Sequence, residues 1–480
     1  MPFVFRDAEL TLDFLVVGGG IAGLAVAYAL STAGHRVRVV EKFGLDRPSA
    51  GQRIPPNLSK ILWQWIGPEE LMKVSTRCVG SPFHQLTTGE NIGYLHWKPA
   101  VMAEMGGDFL LMRHDDLIRI LHKLAIQAGA RVDFNTEVVA VQQGSEEKPA
   151  PSVTLANGEV IYADVLIGAD GSKSLVRDVV LEEEDEAKPG PMTTYSGVVK
   201  AEDMVGDPEL APLVQSEELP QWPVWMGNFR FIFWHPVVRI RLEELRARIN
   251  MCNKRARKEY AFTIFNCKVP TPEQAGKETW DELFPTEQAL TEEDGTLCQK
   301  LVKLAGPRLI RSQLMSRRDI DDWVDSTERI VLIGDSAHPN YPGGTHTAAM
   351  AVEDGAVLGS LFSHLSSKEQ IPAFLNAYQE LRQRRCEMVN RAVFDNARMM
   401  CLPPGPEADA RDQDMAAQAT DWDDGMLKVQ FEEISAIFLY DAGDDAEEWW
   451  INWGRFHDSG NNSKPSVATF DFGNVSVRYE

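Results

Sequence analysis

The sequence contains no apolar run approaching the ~20 residues needed to cross a bilayer, so no helical membrane span is expected. Its opening, MPFVFRDAELTLD, lacks a basic stretch followed by an apolar core and does not read as a secretory leader. Cysteine is sparse. The six residues (Cys78, Cys252, Cys267, Cys298, Cys386, Cys401) are scattered, with no C-x-x-C among them. That spacing argues against a zinc site and for reduced thiols in an intracellular, cytoplasmic protein. Cations are in deficit, 48 Lys and Arg against 71 Asp and Glu, for a net charge of −23. Such a surface disfavours nucleic acid and anionic membranes as partners. What remains is an ordinary globular composition, 44% hydrophobic and 25% charged over 480 residues. That is enough chain for two or three domains with a large core.

The chain is organised around residues 12–42. Phe14 to Val17 reads as a buried parallel strand, and Gly18-Gly19-Gly20-Ile21-Ala22-Gly23 fits G-x-G-x-x-G. A helix follows to Gly34, Arg36 to Val40 gives a second strand, and Glu41 closes it. Gly18 allows a tight turn, Gly20 lets backbone approach a pyrophosphate, and Gly23 lets helix and strand pack closely. The helix start offers unpaired N–H groups to phosphate. Glu41 would accept from ribose hydroxyls, and its charge argues against a 2′-phosphate there. The motif alone leaves FAD and NAD both open.

Residues 43–57 read as a Gly- and Pro-rich loop, with Asn57 or Ser59 capping a helix that carries Ile61, Leu62, Trp65 and Ile66. The tryptophans of this helix read as packing residues. Gly80 to Trp97 is strand-like. Arg113 precedes a helix beginning near Asp115, and Arg131 to Gln142 alternates as a strand. Val153–Leu155 and Val160–Tyr162 flank an Asn-Gly turn and predict a hairpin. An apolar strand then ends in Gly-Ala-Asp-Gly at 168–171, with Asp170 in the turn. Residues 191–236, rich in aromatics and Pro, read as short strands forming the floor of a substrate pocket. The stretch from Arg239 to Lys258 is strongly basic inside an acidic protein and reads as an insertion or a gene-model artefact. Ile330 to Gly334 is another apolar strand, running into Asp335-Ser336-Ala337-His338-Pro339. His338 reads as bracing that turn. Two helices follow, the second over about Ile371 to Met399. Beyond Pro403-Pro404 the chain is acidic and Trp-containing, with a poorly patterned tail from Asp458.

Three separated segments together carry a resemblance: GGGIAG with Glu41, Gly-Ala-Asp-Gly at 168–171, and Ile-Gly-Asp-Ser-Ala-His-Pro at 333–339. Over about residues 12 to 400 the chain resembles the single-component FAD-dependent aromatic hydroxylases, the salicylate and p-hydroxybenzoate hydroxylase group. Through RIPPNLSKIL, MRHDDLIRIL and AVEDGAVLG it resembles their fungal secondary-metabolite branch. The resemblance implies an α/β fold with a discontinuous Rossmann-like FAD-binding domain (9–80, 106–190, 300–400). A mixed-sheet substrate domain (81–105, 191–299) is inserted in it, and C-terminal helices lead to an acidic extension (401–480). The implied cofactor is FAD, with NAD(P)H as co-substrate and O2 as oxidant. The implied reaction is hydroxylation of an aromatic or polyketide-like molecule through a flavin C4a-hydroperoxide, by a monomer or homodimer. A flavin-dependent epoxidase or oxidase, or a catalytically impaired relative, are the alternatives.

Carried over residue by residue, Gly18, Gly20, Gly23 and Glu41 match the ADP-binding half. Ala50, Arg113, Asp170, Asp335, Gly344 and Ala348 match positions that in relatives lie along the rest of FAD. The aspartate at 335 is expected to hold a ribityl hydroxyl, and Ala348 to lie near a helix start under the pyrimidine. Ser196 stands where many relatives have Arg, His235 where they often have Tyr, and Thr345-His346-Thr347 where they carry Ala-Gln-Gly. A phenol with pKa near 10 resists ionisation at pH 7 by about 4 kcal/mol, so a base or cation must stand beside it. His235 is the candidate base and Tyr195 a candidate for orienting substrate. Arg230 lies in the right segment for a carboxylate clamp.

Overall fold

The computed structural model describes residues 7–46, 50–145, 148–214, 219–239, 257–271, 274–279, 281–418, 432 and 434–456. The run Phe14–Val17 does form a buried strand, Asp13–Val17, at the centre of a five-stranded parallel sheet. The sheet order is Ile330–Leu332, Val165–Gly168, Asp13–Val17, Arg36–Val40, Arg131–Asp133. Continuous Val/Ile/Leu runs suit strands covered on both faces. The helix Ile21–Thr32 covers one face and is itself apolar nearly all round, with buried residues from Ala22 to Leu30. It lies against the helix Thr347–Ser363, in which every residue from Ala348 onward is buried. Gly355 permits the contact, since a Cβ there would sit 2.7 Å from the backbone nitrogen of Val26. The long helix Ile371–Met400 packs outside it.

An eight-stranded mixed sheet forms the second layer. Its order is Glu282–Pro285, Arg308–Ser316, Lys188–Lys200, Arg257–Asn266, Arg230–Arg239, Val224–Gly227, Gly80–Gln85, Asn91–His96. One face carries Phe231, Phe233 and Phe265 toward the main core. The other carries Tyr195, Ile232, Trp234, Phe262 and Ile264 under the helix Thr296–Leu304. Between the two large sheets lies a small antiparallel one, Gly51–Ile54, Leu110–Arg113 and Ser75–Arg77. Contact there is close, because a Cβ on Gly51 would lie 2.4 Å from His235 Nε2 and 2.7 Å from Ala261 Cβ.

Several sequence expectations change. Residues 51–54 are a strand rather than loop. The following helix, Pro56–Ile66, starts on Pro at its first position, with no side-chain cap. Asn57 donates instead to Glu353 Oε1 at 2.7 Å. Arg131–Gln142 splits into Arg131–Asp133 and Val138–Gln142, in different sheets, because Asn135 takes a left-handed conformation at φ 53°. Residues 188–200 form one long strand with a bulge between Pro189 and Thr193. The Asn-Gly hairpin forms as expected, with Gly158 at φ 87°. Trp65 packs against Tyr28, as a packing residue should. Beyond residue 401, the helix Ala442–Asn452 folds back on the central helix. There Glu447 bonds Ser360 and His364, and Trp450 stacks on His364. Most of the basic 239–258 stretch, Cys252 and the tail from Asp458 lie outside the described residues. Among the described residues no helix is long and apolar enough to cross a membrane.

Candidate functional site

At the carboxyl ends of the parallel strands the first glycine turn is forced by contact. Gly18 sits at φ 104°, and a Cβ there would lie 2.2 Å from the carbonyl oxygen of Ala169. A Cβ on Gly23 would lie 1.9 Å from the carbonyl oxygen of Gly18. Gly20 differs, because nothing lies within 4 Å of where its Cβ would be. That open position is the N-cap of helix Ile21–Thr32, which has no side-chain cap and no acid in its first turn. The helix start is therefore an electropositive end that the protein leaves uncompensated. Glu41 stands beside it, 8% exposed, with Oε2 accepting from Gly19 N (2.7 Å) and Oε1 from Phe43 N (2.8 Å). Its carboxylate is thus fixed at the tip of Arg36–Val40.

The two other motif acids behave differently from each other. Asp170 is spent locally: it accepts from Ser174 Oγ, Leu175 N (2.8 Å) and Val176 N (3.3 Å), capping the helix Leu175–Leu181. Burial pushes its pKa up to about 6. Asp335 lies in the short turn Gly334–Ser336, beside a narrow cleft lined by Ser172, Glu278, Pro339 and Pro342. Its carboxylate has no hydrogen-bond partner among the described residues, and burial also lifts it to about 6. A nearby hydroxyl donor would satisfy it. His338 braces this turn, with Nε2 2.7 Å from Asp354 Oδ2. Gly344 has a Cβ position 2.8 Å from Thr347 Oγ1, so the glycine gives Thr347 its room. Ala348 is in the first turn of its helix, where backbone N–H groups lack intrahelical acceptors. Among the described residues His346 Nδ1 and Thr347 Oγ1 are buried there without hydrogen-bond partners.

Ala50 is held through its carbonyl by His114 N at 3.0 Å. Arg113 is no loose surface cation. It pairs with Asp115 (2.9 Å) and with buried Glu259 on Arg257–Asn266, stapling the small sheet to the large one.

The structure does not bring Tyr195 and His235 together. Tyr195 points to the far face, against Phe284 and Arg311, because alternation along the strand gives the cleft side to Ser196, whose Oγ lies 3.0 Å from Thr263 Oγ1. His235 does face the small sheet, 1% exposed, with Nδ1 3.2 Å from its neighbour's carbonyl, Pro236 O. Burial and then the nearby Arg53 cation push its pKa down to about 3. Burial therefore keeps the His235 imidazole neutral and disfavours its taking up a proton. Arg230 is equally unsuited to clamp a ligand, since its fork grips Asp294 (2.7 and 2.8 Å) and Ala289 O.

Sequence reading missed Arg53, which is 2% exposed on the strand Gly51–Ile54. Its guanidinium lies 5.3 Å from the Trp222 ring centre and 5.0 Å from that of Phe233, and it donates to Gly343 O. Its position inside a stretch read as loop hid it.

Residues 87–393 match the family described as FAD binding domain, and residues 13–54 match FAD dependent oxidoreductase. The chain is 27% identical over 450 residues to the FAD-dependent monooxygenase atnJ of Arthrinium sp, covering 91% of this chain and 96% of that one. In fold it is similar to CtdE in complex with FAD and a substrate, with a TM-score of 0.74 and 18% identity over 93% of this chain and 100% of that one. It is also similar to a salicylate hydroxylase substrate complex, with a TM-score of 0.67 and 20% identity over 91% and 97%. The chain belongs to the FAD-binding monooxygenase and hydroxylase family, with FAD as its cofactor.

Proposed function

We propose that this enzyme uses NAD(P)H and O2 to hydroxylate an aromatic or polyketide-like small molecule. The observation that carries the reading is the pairing of an open, uncapped dinucleotide cradle at Gly20 with a layer of buried aromatic side chains, Phe231, Phe233 and Phe265, on the eight-stranded sheet. The names of the relatives, a monooxygenase and a salicylate hydroxylase among them, support it.

Bound FAD would supply hydride acceptance from NAD(P)H and the activation of oxygen. The chain's own part is binding and placement. Gly18, Gly20 and Gly23 would admit the pyrophosphate to the helix start, and Glu41 would take the ribose hydroxyls. Asp335, lacking a partner, would accept from the ribityl chain. The first turn at Ala348 would offer partial positive charge to the pyrimidine end. Ala50, Arg113, Asp170 and Gly344 would then hold the loops and strand ends around it rather than carry proton transfer. The buried aromatics Phe231, Phe233, Phe265 and Tyr341, packed ring against ring, would supply a dry wall beside the reacting centre.

The test begins with the visible spectrum of the purified protein before and after denaturation. About one flavin released per chain, and NAD(P)H oxidation accelerated by a phenol, are the expected results. A colourless protein that fails to take up added FAD, or a flavoprotein that never oxidises NAD(P)H, would overturn the reading.

A further inference from the structure

Arg53 is the unexplained charge of the molecule. It is fully buried, yet among the described residues no carboxylate pairs with it. Among the described residues its Nε is buried with no hydrogen-bond partner, and its guanidinium donates to the carbonyl of Gly343. Aromatic faces of Trp222 and Phe233 flank it, which steadies a cation but does not neutralise it. Burial lowers its pKa only to about 10, so it stays charged at neutral pH. Buried charges are ordinarily paired. A buried cation with an unpartnered donor is suited to take an anion.

Its surroundings say which anion. Gly343 belongs to the loop leading into the helix start at Ala348. Tyr341, on the same loop, packs edge-on against Phe265 and Phe394. Phe394 in turn lines a cavity of about 320 Å³ walled by Met192, Phe229, Cys267, Cys401 and Leu402, large and apolar enough for part of a small organic molecule. A ligand lying along the Trp222 and Phe233 faces with its charge on Arg53 is flat, apolar and carries one ionised oxygen.

We propose that Arg53 is the anion-binding residue of the substrate site, its guanidinium taking the phenolate, enolate or carboxylate oxygen of the substrate. This rests on the monooxygenase reading above, and it gives the ionised oxygen a cation that neither Ser196 nor the neutral His235 supplies.

Azide, a small monovalent anion able to reach the site whatever the organic scaffold, is the probe. The FAD-loaded protein is titrated with azide while flavin absorbance is followed, in the wild type, Arg53→Met and Arg53→Lys. Saturable azide binding in the wild type is expected. It should be weakened at least ~10-fold in Arg53→Met and largely kept in Arg53→Lys. All three proteins should keep their FAD. Wild-type protein that shows no saturable azide response, or an Arg53→Met variant that binds azide as tightly as the wild type, would overturn the proposal. Loss of FAD from Arg53→Met would overturn it in favour of a guanidinium serving the flavin itself. Since no turnover is needed, an enzyme that binds azide through Arg53 but never oxidises NAD(P)H would sink the monooxygenase reading and leave the anion site standing.

Discussion

The buried arginines Arg382 and Arg385 and the buried Arg53 are built oppositely. Arg382 and Arg385 are locked into Glu353 and Asp354. Arg382 reaches Asp354 Oδ1 at 2.8 Å and Glu353 Oε2 at 2.9 Å, and Arg385 reaches Glu353 Oε1 at 3.1 Å. Backbone carbonyls at Met350, Ala436 and Ile437 take most of the other donors. Arg53 has none of this beyond Gly343 O. A charge that a fold needs for its own integrity is surrounded until it is neutral and hydrogen-bonded. A charge left over, buried at some energetic cost, is held for something that arrives later.

The largest effect should come from the paired side. Arg382→Met leaves Asp354 to His338 and Glu353 to Arg385 and Asn57, a buried network short of one cation, and should destabilise the protein by ~3–5 kcal/mol in urea unfolding. Arg53→Met should change stability by no more than ~1 kcal/mol. Equal losses would erase the distinction. The pH dependence follows from Asp354. Burial raises its pKa, but His338 and Arg382 outweigh that and hold it at about 2, below its unfolded value. Its stabilising contribution, on the order of 2 kcal/mol, is therefore present above about pH 4 and lost as pH falls toward 2. Arg382→Met should blunt that acid limb.

The acids repeat the contrast at smaller scale. Asp335→Ala removes an unpartnered acceptor and should raise the FAD dissociation constant ~10- to 100-fold, the worth of one charge-assisted hydrogen bond. Asp170→Ala removes a helix cap and should show as ~1–2 kcal/mol of lost stability. Asp335 titrates in the opposite sense to Asp354. Its pKa is raised to about 6, so its contribution to the ligand-free fold is present below about pH 4 and lost as pH rises through 6. A hydroxyl donor favours the ionised form, so FAD affinity measured at pH 7.5 should exceed that at pH 5. The smallest effect belongs to Tyr195→Phe. Its hydroxyl faces Arg311 behind the sheet, so NAD(P)H oxidation rates should stay within ~2-fold.

The cradle was legible in the sequence because its parts are local. Gly18, Gly20, Gly23 and Glu41 follow one another within a single strand–helix–strand unit, where Gly23 is required by contact with Gly18 and Gly20 leaves the helix start open. The choice between Tyr195 and Ser196 was not legible, for a definite reason. Both faces of the eight-stranded sheet are covered by apolar cores, so alternation along Lys188–Lys200 carries no polar side to mark the cleft. Arg53 was hidden more deeply. Its meaning is the lack of a partner, a property of the whole fold that no stretch of neighbours in sequence can display. For the same reason Arg230, in a promising segment, turned out to be spoken for by Asp294.

The strands Arg230–Arg239 and Arg257–Asn266 are paired rung by rung out to Arg239 opposite Arg257. Their register is settled by the ladder, not by whatever joins them. Lengthening such a connection costs only ~0.6 kcal/mol for each doubling. The junction between Arg239 and Arg257 is therefore a place where residues can be gained or shed at little cost to the strand register. For the engineer, it is the natural point at which to splice in a tag or a second protein.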